Sequence, residues 1–391
     1  MTKPHFYNHN IILILAASFC YIASAMFINP LITGFSKGIG CTTLMAGVVA
    51  GAMNITSLFL RPLSGQLTDR YSKKLLASLG GICLLIATIG YMIASNTAWM
   101  MVFRIINGVG YVLCSVCMAT WMASLLPREK LGSGMGIYGL MNALGIAIAP
   151  ALSIALYQQF GYRKAFSAAV ICSALMIILV QLVGDKGAPM VTKAERQPVQ
   201  HKAHLIQPKV FPLAMILMLF ALPYFATQAY IVSYVETLHL PVAVGSFFPI
   251  YAVFLIILRL SLRSLFDTVA FGKFLYVSLI STLIGLIALT RLTNNVWLCL
   301  AALGVAGGYG LMYSICQATS LLIVPENEQG LANSTFYIGM DLGMSLGPML
   351  GGALKSVFPL HLFYPVMLVT LPLIWVIYMM NRKSFNIVAA R

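Results

Sequence analysis

Charge is scarce in this chain. Only 8% of its 391 residues are charged and only 9 are acidic, whereas a soluble domain carries about 25% charged residues. That shortage excludes a water-exposed globule of this size. Cysteine chemistry is thin as well. Of the 8 cysteines, Cys20, Cys83, Cys114, Cys117, Cys172, Cys299 and Cys316 lie in apolar runs and Cys41 near one. Cys114-x-x-Cys117 has no second pair and no nearby histidine, so packing explains it better than zinc or redox chemistry. No disulfide framework is implied. No phosphate-binding loop ending in Lys-Ser/Thr occurs, and Gly108-Val109-Gly110 lies mid-helix without the third glycine of a dinucleotide loop. No His/Cys/carboxylate cluster supports a metal, and no nucleophile–base arrangement supports catalysis. The expectation is a protein without cofactor or metal that is not an enzyme.

What the chain has is apolar length. Hydrophobic residues make up 60% of it, and runs of about 20 residues, enough to cross a bilayer, recur from end to end. We read spans near 11–32, 44–66, 75–95, 98–126, 133–157, 164–184, 210–232, 242–263, 274–292, 296–323, 332–356 and 361–381. This predicts an all-α membrane protein with twelve transmembrane helices. The N-terminus has the outline of a signal peptide, with Lys3, an apolar core and Ala23-Ser24-Ala25. Its apolar character continues to Leu31, however, and the span count uses it, so an uncleaved first helix is expected.

A net charge of +15 invites a nucleic-acid reading, which the positions of the charges oppose. The termini and even-numbered loops hold 18 basic residues, the opposite side holds 5, and Arg104 lies inside a span. Lys and Arg gather on the cytoplasmic side of membrane proteins. Both termini are therefore expected in the cytoplasm, with the chain in the cell (inner) membrane as a monomer. Its partners are the lipid bilayer and a small molecule, not nucleic acid. The one long polar stretch, 185–209, contains Pro189, Pro198 and Pro208 and no apolar period. It reads as a cytoplasmic linker between two halves, 1–184 and 210–391.

The halves repeat one another. At an offset of 198 residues Gly47 meets Gly245, Arg61 meets Arg259, Asp69 meets Asp267 and Gly110-Tyr111 meets Gly308-Tyr309. Pro127 meets Pro325, Gly132 meets Gly330, Gly145 meets Gly343 and Pro150 meets Pro348. One constant offset through four spans implies duplication, hence two pseudo-symmetric six-helix bundles. Parallel repeats of this kind suit a transporter with its site at mid-membrane.

The loop after the second span reads Arg61-Pro62-Leu63-Ser64-Gly65-Gln66-Leu67-Thr68-Asp69-Arg70-Tyr71-Ser72-Lys73-Lys74. It resembles the signature loop of the major facilitator superfamily, G-x-L-x-D-R-x-x-[KR]-[KR], and the resemblance extends over essentially the whole chain. Gly65 allows close helix approach, and Asp69 can accept N–H groups at a neighbouring helix start, where the dipole favours an anion. Arg70, Lys73 and Lys74 fix orientation and can tie the halves together. A degenerate copy stands at Arg259, Asp267, Gly272 and Lys273. The resemblance implies that Gly65, Asp69, Arg70, Lys73, Arg259 and Asp267 act as a cytoplasmic gate.

In the fourth span, Phe103-Arg104-Ile105-Ile106-Asn107-Gly108-Val109-Gly110 is similar to the family's R-x-x-x-G-x-G element. Arg104, Gly108, Tyr111 and Ser115 share a helical face, expected to line a central cavity unless Arg104 snorkels to the outer interface. In the eleventh span, Gly343-x-x-x-Gly347-Pro348-x-x-Gly351-Gly352 resembles the signature of drug/proton antiporters. That family places the signature in the fifth span, where this chain has only Gly145 and Pro150 of it. Small residues at this spacing permit close helix packing. Asp341 is the one acidic residue well inside a span, and it falls on a face with Tyr337, Ser345 and Pro348, opposite the glycines. An intramembrane acid marks a functional site. Tyr21, Asn54, Tyr111, Gln228, Tyr230 and Tyr337 are candidate cavity residues.

The expectation is a secondary active transporter that works by alternating access and exports a small amphipathic solute in exchange for protons. Asp341 is the expected protonation site, modulated by Arg104. An importer or facilitator of a sugar-like metabolite is the alternative.

Overall fold

A chain in hydrocarbon has no water for its amide groups, so each crossing must close its own backbone hydrogen bonds as a helix. The computed structural model describes residues 8–189, 205–262, 264–357 and 359–385, and these hold helices and no strand. Most of the polar linker, 190–204, lies outside the described residues.

The first half contains α1 (His9–Ile28), the short α2 (Ile32–Gly38), α3 (Thr43–Arg70), α4 (Lys73–Ile93), α5 (Thr97–Ser124), α6 (Leu131–Phe160) and α7 (Tyr162–Leu182). The second contains α8 (Phe211–Thr237), α9 (Phe247–Ser261), the short α10 (Leu265–Thr268) and α11 (Phe271–Thr290). Then come α12 (Asn295–Val305) and α13 (Leu311–Leu322), joined through a π-helical turn, Ala306–Gly310, and after them α14 (Gln329–Val357), α15 (Phe363–Met367) and α16 (Thr370–Phe385). Counting α12–α13 and α15–α16 as single crossings, the described residues give twelve spans in two sets of six.

Ten of these helices are both long and apolar enough to cross a membrane. The other two, α3 and α14, have the length, at 28 and 29 residues, but carry polar residues in their interiors. Ser57, Arg61, Ser64, Thr68 and Asp69 of α3 are buried, as are Asn333, Ser334, Thr335 and Asp341 of α14. Pro62, Pro150, Pro223 and Pro348 lie inside α3, α6, α8 and α14, where each removes one backbone hydrogen bond and favours a bend.

The chain forms two compact units. One comprises Met1–Leu126, Met141–Leu205 and Glu326–Ser334; the other comprises Pro127–Leu140, Ile206–Pro325 and Thr335–Arg391. The start of α6 therefore packs with the second unit and the start of α14 with the first. In the first unit, α4 and α5 meet at Gly80 and Gly110, where a Cβ on Gly110 would lie 2.7 Å from the Gly80 carbonyl oxygen. Cys114 Sγ occupies the space beside Gly80, so this thiol is part of the packing. An aromatic cluster of Phe35, Tyr91, Tyr162 and Phe166 closes the core at one end of α1, α2, α4 and α7. In the second unit, Gly285 of α11 and Gly304 of α12 bring two backbones together.

Arg61 and Arg259 correct the charge count. Both were sorted with the loops, but both lie inside helices, α3 and α9, and are 0% and 4% exposed. Proximity to a loop in sequence hid them, because their side chains turn inward to neighbouring helices. The remaining loop cations keep the same asymmetry.

Candidate functional site

Asp69 stands at the last turn of α3, buried, and bonds the first turn of α14. The Gly330 N–H donates to Oδ1 at 2.6 Å and the Leu331 N–H to Oδ2 at 3.0 Å. The first amides of a helix have no partner within it and carry the positive end of the dipole, so a carboxylate satisfies them on both counts. Contact this close requires glycine on both sides. A Cβ on Gly65 would lie 2.7 Å from Ser334 Cβ, and one on Gly330 would lie 2.5 Å from the Gly65 carbonyl. Burial raises the Asp69 carboxyl from an ordinary 3.8 to about 7, while the two amides and nearby Lys73 act in the opposite direction.

The second unit repeats this arrangement with the roles of the repeats exchanged. Asp267, in α10, accepts the Ser133 N–H at the start of α6 at 2.8 Å, and Lys130 Nζ lies 3.7 Å from its Oδ2. Gly132 packs against the Phe266 carbonyl so closely that a Cβ would clash. The offset of 198 maps Asp69 onto Asp267 and Gly330 and Leu331 onto Gly132 and Ser133. Ser133 and Leu331 were not singled out from sequence. The signal was present in the pairing of Gly132 with Gly330, since a glycine repeated at a helix start marks a close approach.

The basic residues of the loop do other work. Arg70 is exposed. Lys73 and Lys74, expected to tie the halves together, instead serve the first repeat. Lys73 Nζ donates to the Ala188 carbonyl at 2.9 Å and its N–H to the Gly187 carbonyl at 2.8 Å. Lys74 Nζ donates to the carbonyls of Gln181 and Val183 at the end of α7, at 2.9 and 2.8 Å, a favourable place for a cation. With Trp121 Nε1 donating to Asp185 Oδ1 at 2.7 Å, these bonds dock the start of the linker on α4 and α5.

Arg104 is 2% exposed and does not snorkel. Its Nη2 donates to Asn29 Oδ1 at 2.7 Å and to the Ala50 carbonyl at 3.1 Å, and its Nε to the Val49 carbonyl at 3.3 Å. The Tyr91 hydroxyl lies beside it. One guanidinium thus joins α5 to α3 and to the end of α1. The face it shares with Gly108, Tyr111 and Ser115 is packed. A Cβ on Gly108 would lie 2.8 Å from the Met53 carbonyl of α3, the Tyr111 ring is 6.2 Å from Tyr21, and Ser115 accepts a bond from Arg61. Arg104, Gly108, Tyr111 and Ser115 are all buried.

In α14 the glycines pack against α8. A Cβ on Gly339 would clash with the Ala214 carbonyl of α8, and one on Gly343 would lie 2.5 Å from Ala221 Cβ. One on Gly347 would lie 2.9 Å from the Leu222 carbonyl, and one on Gly351 would lie 2.8 Å from the Tyr230 ring. In the fifth span, Gly145 packs on Ile22 of α1 in the same way. Asp341 is 2% exposed. One turn before it, the Tyr337 hydroxyl accepts from Gln317 Nε2 at 3.1 Å and from the Tyr313 hydroxyl at 3.5 Å. Tyr313 in turn lies under the Arg259 guanidinium, 5.9 Å from Cζ to ring centre.

The cavity candidates separate by exposure. Tyr21, Tyr111 and Tyr337 are buried, Asn54 and Tyr230 are half-buried, and Gln228 is exposed. A tyrosine group that sequence reading did not assemble, Tyr224, Tyr251 and Tyr309, stacks in the second unit with ring centres 4.7 and 5.1 Å apart.

The sequence model of the Major Facilitator Superfamily matches residues 14–293 and 272–387. An uncharacterized MFS-type transporter of Methanocaldococcus jannaschii is 20% identical over 367 residues, covering 91% of this chain and 93% of that one. A multi-drug resistance efflux pump PmrA homolog of Lactococcus lactis is 22% identical over 370 residues, covering 91% and 90%. The solved outward conformation of FucP, a Major Facilitator Superfamily transporter, superposes with a TM-score of 0.75 at 14% identity, covering 97% and 99%.

Proposed function

Because this chain belongs to the major facilitator superfamily, we propose that it is a proton-coupled exporter of a small amphipathic solute. That it is a multi-pass membrane transporter of a small molecule, and not an enzyme, follows from the family itself. Export, protons and substrate class are our reading. Asp341 carries it: a carboxyl 2% exposed in α14, on the helix whose glycine face packs along α8. A carboxyl inside a span is costly to keep unless it works. It can hold a proton in one facing state and release it in the other, as alternating access against a proton gradient requires. The likeness to a multi-drug efflux pump favours export of an amphipathic solute.

The two aspartate caps are proposed as the cytoplasmic gate. Asp69 on α14 and Asp267 on α6 each hold a helix start, and breaking the caps releases both helices. Arg104 enters as a positioning residue for α1, α3 and α5. Both termini are placed in the cytoplasm of the cell membrane on the strength of the basic loops, and the chain is taken to act as a monomer.

Cells expressing the protein should accumulate less of an amphipathic fluorescent cation such as ethidium than control cells. A protonophore should erase the difference. Raised accumulation in expressing cells would identify an importer and overturn the reading of direction.

A further inference from the structure

The two helix starts capped by aspartate are fastened by different chemistry. At the start of α6, Asp267 has a cation beside it, Lys130 Nζ, at 3.7 Å. At the start of α14 the offset of 198 puts Glu328 where Lys130 stands. Asp69 therefore has charges of both signs nearby, Lys73 and Glu328, and the Lys73 ammonium also serves the Ala188 carbonyl. Neighbouring carboxylates repel one another, so the α14 contact lacks the ionic support of its counterpart.

Neutral bonds stand in its place. Asn333, one turn into α14, donates from Nδ2 to Thr120 Oγ1 of α5 at 2.9 Å, and both residues are 0% exposed. The Thr120 hydroxyl donates its own proton to the Val116 carbonyl at 2.9 Å, which turns a lone pair towards Asn333. The next residue of α14, Ser334, donates from Oγ to the Arg61 carbonyl of α3. With the two amides that Asp69 holds, these bonds tie the first turns of α14 to α3 and α5, and all of the residues belong to one compact unit.

The second repeat has no version of this. The offset puts Met135 where Asn333 stands, Gly136 where Ser334 stands and Ala318 where Thr120 stands. None of these side chains has a hydrogen to donate. Gly136 instead packs under the Phe266 ring, to which a Cβ would come within 2.9 Å. Both partners of the Asn333–Thr120 bond are present in one repeat and both are missing from the other, as suits a pair that works as a unit.

We propose that Asn333 and Thr120, with Ser334, form a neutral latch that holds the start of α14 on α3 and α5 and sets how often the Asp69 cap opens. They are positioning residues that act through α14. The latch rests on the proposed gate only for its effect on transport, because amide exchange reports the contact whether or not it gates. One hydrogen bond between helices in a membrane protein shifts an equilibrium by about 3- to 20-fold.

The test is hydrogen–deuterium exchange of the purified protein, read by mass spectrometry on peptides covering 329–335 and 131–137. Asn333→Met places there the side chain of the equivalent residue, and Thr120→Val removes the hydroxyl while keeping the branched shape, so a folding failure in one does not end the test. Each should speed exchange at Gly330 and Leu331 by about 3- to 20-fold and leave 131–137 unchanged. The double variant should exchange no faster than the faster single, because both changes remove the same bond. The factor should be equal at pH 6 and pH 8, since the latch holds no group that titrates there, whereas Asp69→Asn alters the pH response itself. Faster exchange with unchanged transport would uphold the latch and overturn the gate. Unchanged exchange at Gly330 and Leu331 in Thr120→Val, single effects that add in full, or equal acceleration of 131–137 would overturn the latch.

Discussion

Asp69 shows how one carboxylate can report on the state of a helix contact. Packed against α14, its carboxyl is raised to about 7 by burial, from 3.8 when exposed. The packed form therefore binds protons more tightly than the exposed form, and protonation favours packing. That contribution is complete below about pH 3.8 and is lost as pH rises through about 7. Amide exchange at Gly330 and Leu331, corrected for its intrinsic pH dependence, should be faster at pH 8 than at pH 6. Asp69→Asn should flatten this response. The same variant should slow transport by about 3- to 30-fold, the range for losing a helix cap, while solute affinity stays within about twofold. Normal transport by Asp69→Asn would reduce the cap to a passive turn. Arg104 gives a second residue-scale prediction. Arg104→Lys should not restore the stability lost in Arg104→Gln, because only a guanidinium fork reaches Asn29, Val49 and Ala50 together. Equal unfolding temperatures for wild type and Arg104→Lys would show that a point charge is enough.

At the scale of the element, α14 is shaped by where side chains are missing. Gly343→Val and Gly347→Val would force atoms into Ala221 and the carbonyls of Met218 and Leu222. Overpacking of this kind costs about 1–3 kcal/mol and should appear as a lowered unfolding temperature. Gly51 of α3 has nothing within 4 Å of its Cβ direction, so Gly51→Ala should be neutral, and an equal loss there would deny α14 any special role. The glycine stripe was legible in sequence, because a helical period of 3.6 residues fixes which positions share a face. The cap by Asp69 was legible because the motif placed an acid beside a helix start. Lys73 was misread because its partners, Gly187 and Ala188, lie more than a hundred positions away and take their place only when the linker folds back on α4. Arg259 was misread as a loop cation for the same reason, since burial depends on the neighbours and not on distance to a turn. The stacked tyrosines were invisible among 18 tyrosines.

For the whole molecule, duplication is the simplest account of what recurs. An arginine, an aspartate and a pair of helix-start residues reappear 198 positions on, and each aspartate caps a helix of the other repeat. The proposed topology, with both termini in the cytoplasm, rests on where the cations fall. Single cysteines replacing Lys193 and Lys355 should label from opposite sides in intact cells, with 355 reached from outside and 193 protected. The reverse pattern would invert the orientation. The central claim, that Asp341 couples protons to transport, is tested most directly in proteoliposomes with an imposed proton gradient. Wild-type protein should drive the solute uphill, and Asp341→Asn, folded and still capable of downhill exchange, should not. Undiminished uphill flux in Asp341→Asn would contradict the account and leave Asp341 a structural hydrogen-bonding residue.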